Sequence, residues 1–365
     1  MTRNRQIWIW VGVCLVAFAM IYAINDILLP FIVGIAIAYF LDPVADDLER
    51  LGCSRTVATS IISIAFFATV GAILVLLYPL VQEQMVAFFH KVPSLIEALT
   101  LRLQPITEDL RRVFSVARME ELQDAGKSFI GTTASWLGKV VQGIWAGGLA
   151  LFNVISIVLI TPIVAFYLLR DWDVMTAKVD SWLPREFAPT IRALFAEIDT
   201  IISAFIRGVG TVVLFLATVY AVGLTLVGLD FGLLVGLIAG FLSFIPYVGS
   251  VVGVSLALII ALVQFGDVFH IVLVLIVFGI GQGVESLYLT PKLVGEKVGL
   301  HPVWVIFALM VGGLLLGFTG VLLAIPIAAT IGVLVRFFLA HYLASPLYSG
   351  EAAVPPDVGT TDKSQ

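Results

Sequence analysis

The chain has 365 residues, of which 60% are hydrophobic and 12% charged, with a mean hydropathy of +1.09. A soluble globular domain carries about 25% charged residues, so this composition excludes a soluble fold and implies a polytopic membrane protein. The net charge of −5 is dispersed with no basic block of the kind that binds nucleic acid, and Cys14 and Cys53 have neither disulfide nor metal spacing.

Taken in order, the apolar runs predict helices at 7–24, 27–41, 57–80, 149–169, 209–227, 231–245, 247–264 and 268–290. A further run, 303–338, is too long for one helix. Lipid offers no partner for free backbone groups, so these segments are helical and the expected fold is all-α, a polytopic helical membrane protein with about eight to ten apolar crossings. The start carries Arg3 and Arg5 before its apolar run, which reads as a first transmembrane helix rather than a signal peptide because it is long enough to span.

With Arg3 and Arg5 inside, the short loops bearing Arg50 and Arg55, then Lys178, Arg185 and Arg192, then Lys292 and Lys297 all fall inside, while residues 24–26 and 228–230 fall outside without a basic residue. This orientation puts both termini in the cytoplasm. Residues 1–80 form N-terminal transmembrane helices in this reading, and 149–343 a transmembrane transport region. Residues 81–148 are expected to form an extracytoplasmic insert of amphipathic helices, with Val86, Phe89 and Val92 at helical spacing, that pack on the membrane surface or on a neighbouring subunit, with a specific external binding domain as the alternative. Residues 173–208 suit an interfacial helix, with Trp182, Phe187 and Phe195 among basic residues. Residues 344–365 are polar and are expected to be a disordered cytoplasmic tail.

Two stretches, 231–264 and 303–338, read as broken helical hairpins. The tip of the first holds Phe244, Pro246, Tyr247 and Gly249, and the second is interrupted by Gly317 and Gly320 with Pro326 beyond. The basic-residue bookkeeping makes them enter from opposite sides, whether they cross or turn back within the bilayer. Paired Gly/Pro-interrupted segments of inverted sense are a pointer to a transport site; the plainer reading is that they are ordinary kinks. Small residues four apart at Gly232, Gly236 and Gly240, at Gly249 and Gly253, and at Gly313 and Gly317 predict close helix packing.

Among polar residues, Glu285 lies well inside an apolar segment, with Gln282 three residues before it and Tyr288 three after, on one predicted helical face. A carboxylate in the membrane faces a cavity or reaches for the interface, so these three are the candidates for transport and ion coupling, and an interfacial anchor near Lys292 is the alternative. Arg170, Asp171 and Arg207 sit at the inner boundary as candidate ion pairs. Pro162 predicts a kink whose freed carbonyl Thr161 covers. His270 and His301 are too far apart for a metal site, and with no nucleotide loop, nucleophile triad or paired hydrolase carboxylates neither an enzyme nor a cofactor is expected.

The stretches LLPFIVGIAIAYFLDPV, TPIVAFYLLRDW, GLLVGLIAGFLSFIPYVGSVVG, ESLYLTPKLVGEKVGLHPVWVIFALMVGG and GFTGVLLAIPIAA occur in this order between residues 28 and 329. Together they resemble the autoinducer-2 exporter family of bacterial inner-membrane proteins, a similarity running from about residue 7 to residue 338. The resemblance implies export of a small polar solute or signal, with H+ or Na+ as a coupling ion. Some members are described as exporters of the furanone signal autoinducer-2, others as sodium/proton antiporters, and the family tends to be homo-oligomeric. One departure is the stretch RGVG, where Val209 stands in place of the family's usual Gln. A non-transporting envelope scaffold is the alternative of another class, and it would put the selected chemistry in the 81–148 insert.

Overall fold

A computed structural model describes residues 24–113, 148–294 and 299–345, together with residues 12, 20, 128 and 348. The helix expected over 7–24, most of the 114–147 stretch and the tail beyond 345 lie outside the described residues. Within them every regular element is helical: α1 (Asn25–Arg50), α2 (Arg55–Val113), α3 (Gly148–Ser181), α4 (Ala188–Leu226), α5 (Gly232–Leu242), α6 (Val248–Gln264), α7 (Val268–Val284), a π-helical segment (Glu285–Val294) and α8 (Pro302–Leu343). Five helices among the described residues are long and apolar enough to cross a membrane, at Ile27–Arg50, Arg55–Leu95, Ala188–Leu226, Val268–Leu293 and Pro302–Leu343, and Gly232–Leu242 and Val248–Gln264 are shorter apolar helices. The molecule is a polytopic helical membrane protein. Its contacts define two compact units, residues 1–178 with 203–296, and residues 179–202 with 297–365.

In the first unit, α1 packs on α2 and α3 through Ala38, Leu41, Ala45, Ile62 and Leu169. The Thr161 hydroxyl donates to Pro30 O at 3.2 Å, on α1. It therefore ties two helices together instead of covering a carbonyl of its own helix beside Pro162.

α2 is a single helix of 59 residues that runs on past the apolar stretch expected to end near residue 80. Its Val81, Met85, Phe88, Phe89, Val92 and Leu95 pack against a core built from α4, α5, α6 and α7. This part of the 81–148 stretch thus covers the chain's own core, because its apolar stripe meets Phe231, whose ring lies 5.4 Å from that of Phe88. Gln84 Oε1 accepts from the Leu234 amide at 3.0 Å, filling one of the open donors at the start of α5, which has no side-chain cap of its own. Lys91 pairs with Asp230 at 2.7 Å, and the Gln264 side chain brackets the same turn, accepting from Asp230 N and donating to Gly228 O.

The α4 to α7 core is close-packed through small residues. A Cβ on Gly236 would meet the Tyr220 and Ala221 backbone, one on Gly240 the Ala217 backbone, and one on Gly232 the Leu224 carbonyl, so the predicted glycine stripe lies flat on α4. Between α5 and α6 the chain breaks over residues 243–247, and Tyr247 is left-handed at φ 68°. A Cβ on Gly249 would strike Ser243 and Ala239 O, and one on Gly253 would lie 2.9 Å from Phe278, so α6 returns along α5. Asp267 caps α7 by accepting from His270 N, and that hydrogen bond, with the nearby His270 ring, holds its carboxyl below the usual carboxylate range.

In the second unit, α8 is interrupted at Gly317, whose φ of 58° and ψ of −135° suit a residue without a Cβ. Gly312 and Gly320 then meet backbone to backbone, which a straight helix would hold about 12 Å apart along its axis, so the two arms lie side by side. The closest pair is Gly312 with Gly320; Gly313 also faces the other arm, a built Cβ lying 3.3 Å from the Val321 side chain, whereas Gly317 forms the break and has nothing within 4 Å. Arg336 bonds Glu197 at 3.0 Å, and Arg192 grips Asp180 through two bonds of 2.6 and 2.8 Å.

Candidate functional site

The buried stripe of α7 consists of Val274, Phe278 and Gly281, at spacings of four and three. Glu285 is the next position along that stripe, which explains how a carboxylate is accommodated in an apolar segment: it points toward the protein interior and is half-buried there. Gln282 Nε2 donates to Glu285 Oε2 at 2.6 Å. Ser286 Oγ donates to Gln282 O at 2.5 Å.

At Glu285 the helix changes period, from α to π, and stays wide through Val294. Pro291 provides the physical reason, since its ring clashes with the carbonyl four residues earlier and it has no N–H to donate; a wider turn relieves the clash. The change of period also moves Tyr288 off the expected face. It is exposed, and Lys292 Nζ donates to its hydroxyl at 2.8 Å while lying 4.9 Å above its ring. Two of the three candidates are therefore brought together and the third is paired elsewhere.

A residue of α4 packs against this part of α7. Tyr220 is fully buried, its ring centroid 4.5 Å from that of Phe278. Gly281 makes room for it, as a Cβ there would run into the Tyr220 ring. A tyrosine in an apolar run looks like any core aromatic, so the sequence carries no local mark of this role.

The boundary residues form a second cluster. Arg170 and Asp171 bond each other twice at 2.6 Å, so that the guanidinium holds the Asp171 carboxyl below its usual range. Arg207 Nε donates to Tyr39 O at 2.9 Å and its Nη2 lies 3.7 Å from Asp42. The centre of the cluster is Arg55, which bonds Asp42 at 2.8 Å, Asp46 at 2.6 Å, Glu49 at 3.1 Å and the Leu169 carbonyl at 3.0 Å. It joins α1, α2 and α3, and Asp42 extends the network toward α4. The signal was available in the spacing of Asp42, Asp46 and Glu49, which places three carboxylates on one helix face.

Of the residues assigned to the break of 231–264, Phe244 is half-buried, Pro246 and Tyr247 are exposed and Gly249 is buried. In 303–338 the break falls at Gly317, whereas Gly320 packs on the opposite arm and Pro326 lies within the helix beyond. Among the described residues, no group of three His, Cys, Asp or Glu side chains is placed to hold a metal ion. His270 stacks on Phe265 at 3.8 Å, and His301 caps α8.

A family model described as "AI-2E family transporter" matches residues 11–340. The chain is 27% identical over 351 residues to "Putative transport protein YrrI" of Bacillus subtilis strain 168, covering 92% of this chain and 97% of that protein. It is 28% identical over 315 residues to "Putative permease PerM" of Escherichia coli K12, covering 86% and 88%, and 26% identical over 326 residues to "Putative transport protein YhhT" of the same strain, covering 86% and 85%.

Proposed function

Because the chain belongs to the AI-2E transporter family, we propose that it is a secondary transporter that exports a small polar solute across a bacterial inner membrane, with Glu285 and Gln282 on the transport route. The observation that carries this reading is Glu285, next along the buried stripe of an apolar helix and hydrogen-bonded by Gln282, at the start of a π-helical segment. A charged side chain at the centre of a membrane helix costs about 2.5–3.5 kcal/mol on insertion scales. Widened helical turns of this type occur often at functional sites.

The helix pairs supply the rest of the reading. α5 has 11 residues and rises about 16 Å, half of the roughly 30 Å hydrocarbon core. It is too short to cross, which supports a hairpin that turns back within the bilayer. In this reading the hairpin at 303–338 enters from the opposite side, each broken helix presents backbone ends to the solute, and the protein assembles as a homo-oligomer with both termini in the cytoplasm. The driving force is a proton or sodium gradient, or the solute's own gradient. Exchange of a cation for a proton with no organic solute is the second reading, favoured by the carboxylate of Glu285.

Flux in proteoliposomes tests this, with a panel of hydroxylated and amino solutes under imposed proton or sodium gradients. Glu285→Gln is expected to leave folding and assembly intact and to abolish ion-dependent or pH-dependent flux, and Glu285→Asp to keep part of it. Lys292→Gln, which removes the partner of Tyr288, is expected to have a mild effect. Ion exchange without organic solute would select the antiporter reading. Unaltered flux by Glu285→Gln would remove Glu285 from the route.

A further inference from the structure

The two helices of the α5–α6 hairpin both start from a strained residue, and the chain holds one of these in a grip that the other lacks. Among the described residues Phe231 and Tyr247 are the non-glycine residues with positive φ, at 60° and 68°, and they cap the starts of α5 and α6. A bulky side chain in the left-handed region costs conformational energy that its surroundings must offset. Tyr247, at the tip, is 76% exposed. Phe231, at the root, is buried, and one face of α2 closes over it through Gln84, Phe88 and Lys91, at spacings of four and three. Gln84 accepts from the Leu234 amide at 3.0 Å, the Phe88 ring meets the Phe231 ring edge-on, and Lys91 lies 5.6 Å above the Phe231 ring while its Nζ donates to Asp230 at 2.7 Å.

These contacts differ in how readily they part. The aromatic contact is buried, whereas the Lys91 and Asp230 side chains are 55% and 42% exposed, so water and salt compete for that pair. We infer that residues 84–91 of α2 are a latch on the root of the α5–α6 hairpin, closed in this structure, with the Lys91–Asp230 pair as its releasable clasp. Opening the clasp lets Phe231 leave the left-handed region, which withdraws the Leu234 amide from Gln84 and the Asp230 amide from Gln264. The latch itself rests on neither Glu285 nor the direction of transport.

Amide hydrogen exchange of the full-length protein in detergent, resolved to single residues, tests this. The Asp230 and Leu234 amides are bonded by side chains of other helices, so their exchange reports the state of the latch. Lys91→Met removes the clasp and is expected to speed exchange at both amides about two- to fivefold at low ionic strength. Val251, whose amide bonds Tyr247 O at the tip, should be unchanged. Raising the salt should bring native protein toward the Lys91→Met rates and leave Lys91→Met where it is. The swapped pair, Lys91→Asp with Asp230→Lys, should restore slow exchange. Leu234 is the deciding position, because its partner is Gln84, two turns from Lys91. Faster exchange at Asp230 alone would reveal an isolated surface pair, and native rates in Lys91→Met at both salt levels would reveal an idle one; either result overturns the latch. If the swapped protein does not fold, the salt response of native protein at Leu234 decides in the same way. A role of the latch in transport rests on the hairpin being part of the route, and Lys91→Met is then expected to raise maximal flux by a similar factor. Unchanged flux with faster exchange would overturn that role alone, and a failed Glu285→Gln test would leave the exchange result standing.

Discussion

Glu285 is tolerated because its neighbours are shaped around it, and the smallest of them, Gly281, offers the sharpest test. A Cβ there would meet the ring of Tyr220, which is fully buried and backed by Phe278, so the ring has little room to yield. Gly281→Ala is expected to cost about 1–3 kcal/mol in unfolding experiments, the range for overpacking a filled core. Gly279, two residues earlier on the same helix, has nothing within 4 Å of a built Cβ, and Gly279→Ala should be close to neutral. Equal losses at both positions would show that helix backbone, not contact with Tyr220, sets the effect. At the other end of α7, Asp267 titrates below its ordinary 3.8 because it accepts from His270 N and from the His270 ring. A depressed carboxyl contributes stability above its unfolded pKa and loses it as the pH falls through the folded value. Asp267→Asn should therefore flatten the loss of α7 protection from hydrogen exchange below about pH 4, while native protein shows it in full.

The α4 and α5 helices depend on glycines in a stricter way. Gly236 and Gly240 face backbone atoms of Tyr220, Ala221 and Ala217, which cannot rotate aside as a side chain can. Gly236→Ala or Gly240→Ala must separate the two helices and is expected to cost at least about 3 kcal/mol, more than Gly281→Ala, as read by denaturant midpoint at unchanged slope. This stripe was legible in the sequence, because small residues four apart have few other uses in an apolar helix. The breaks near Pro246 and at Gly317 were legible for a similar reason, as local backbone chemistry marks them. The pairing of Gln282 with Glu285 followed from their spacing of three. Tyr288 did not follow, because that spacing argument assumes 3.6 residues per turn and the helix widens at Glu285 itself. Tyr220 and Gln84 act across helices, on partners far away in the chain, as Gln84 does on Leu234 at a separation of 150 residues. Periodicity within one helix cannot reveal such pairs, whereas the carboxylates that Arg55 gathers were marked by their spacing on one face.

At the scale of the whole molecule, orientation is the property on which the direction of transport depends, and the long α2 makes it measurable. Its 59 residues rise about 88 Å if straight, against a bilayer of about 40–45 Å with its headgroups, so a spanning α2 must emerge well beyond the membrane. The end at Arg55 lies with Asp42, Asp46, Glu49, Leu169 and Arg207, the charged cluster of the first unit. Positive residues in short loops favour the cytoplasm, and Arg50 and Arg55 lie at this end, paired with Asp47 and Asp42. The native Cys53 sits in the short α1–α2 connection, partly exposed. In a Cys14→Ser protein, Cys53 should react with a membrane-impermeant maleimide in inside-out vesicles and not in intact spheroplasts. Moving the thiol to the far end, with Cys14→Ser, Cys53→Ser and Gln104→Cys combined, should reverse the pattern. Labelling of Gln104→Cys only in inside-out vesicles would invert the whole topology, and with it the proposal of export. Labelling of both thiols from one side would mean that α2 does not span, and that its apolar stretch lies against other protein instead of crossing lipid.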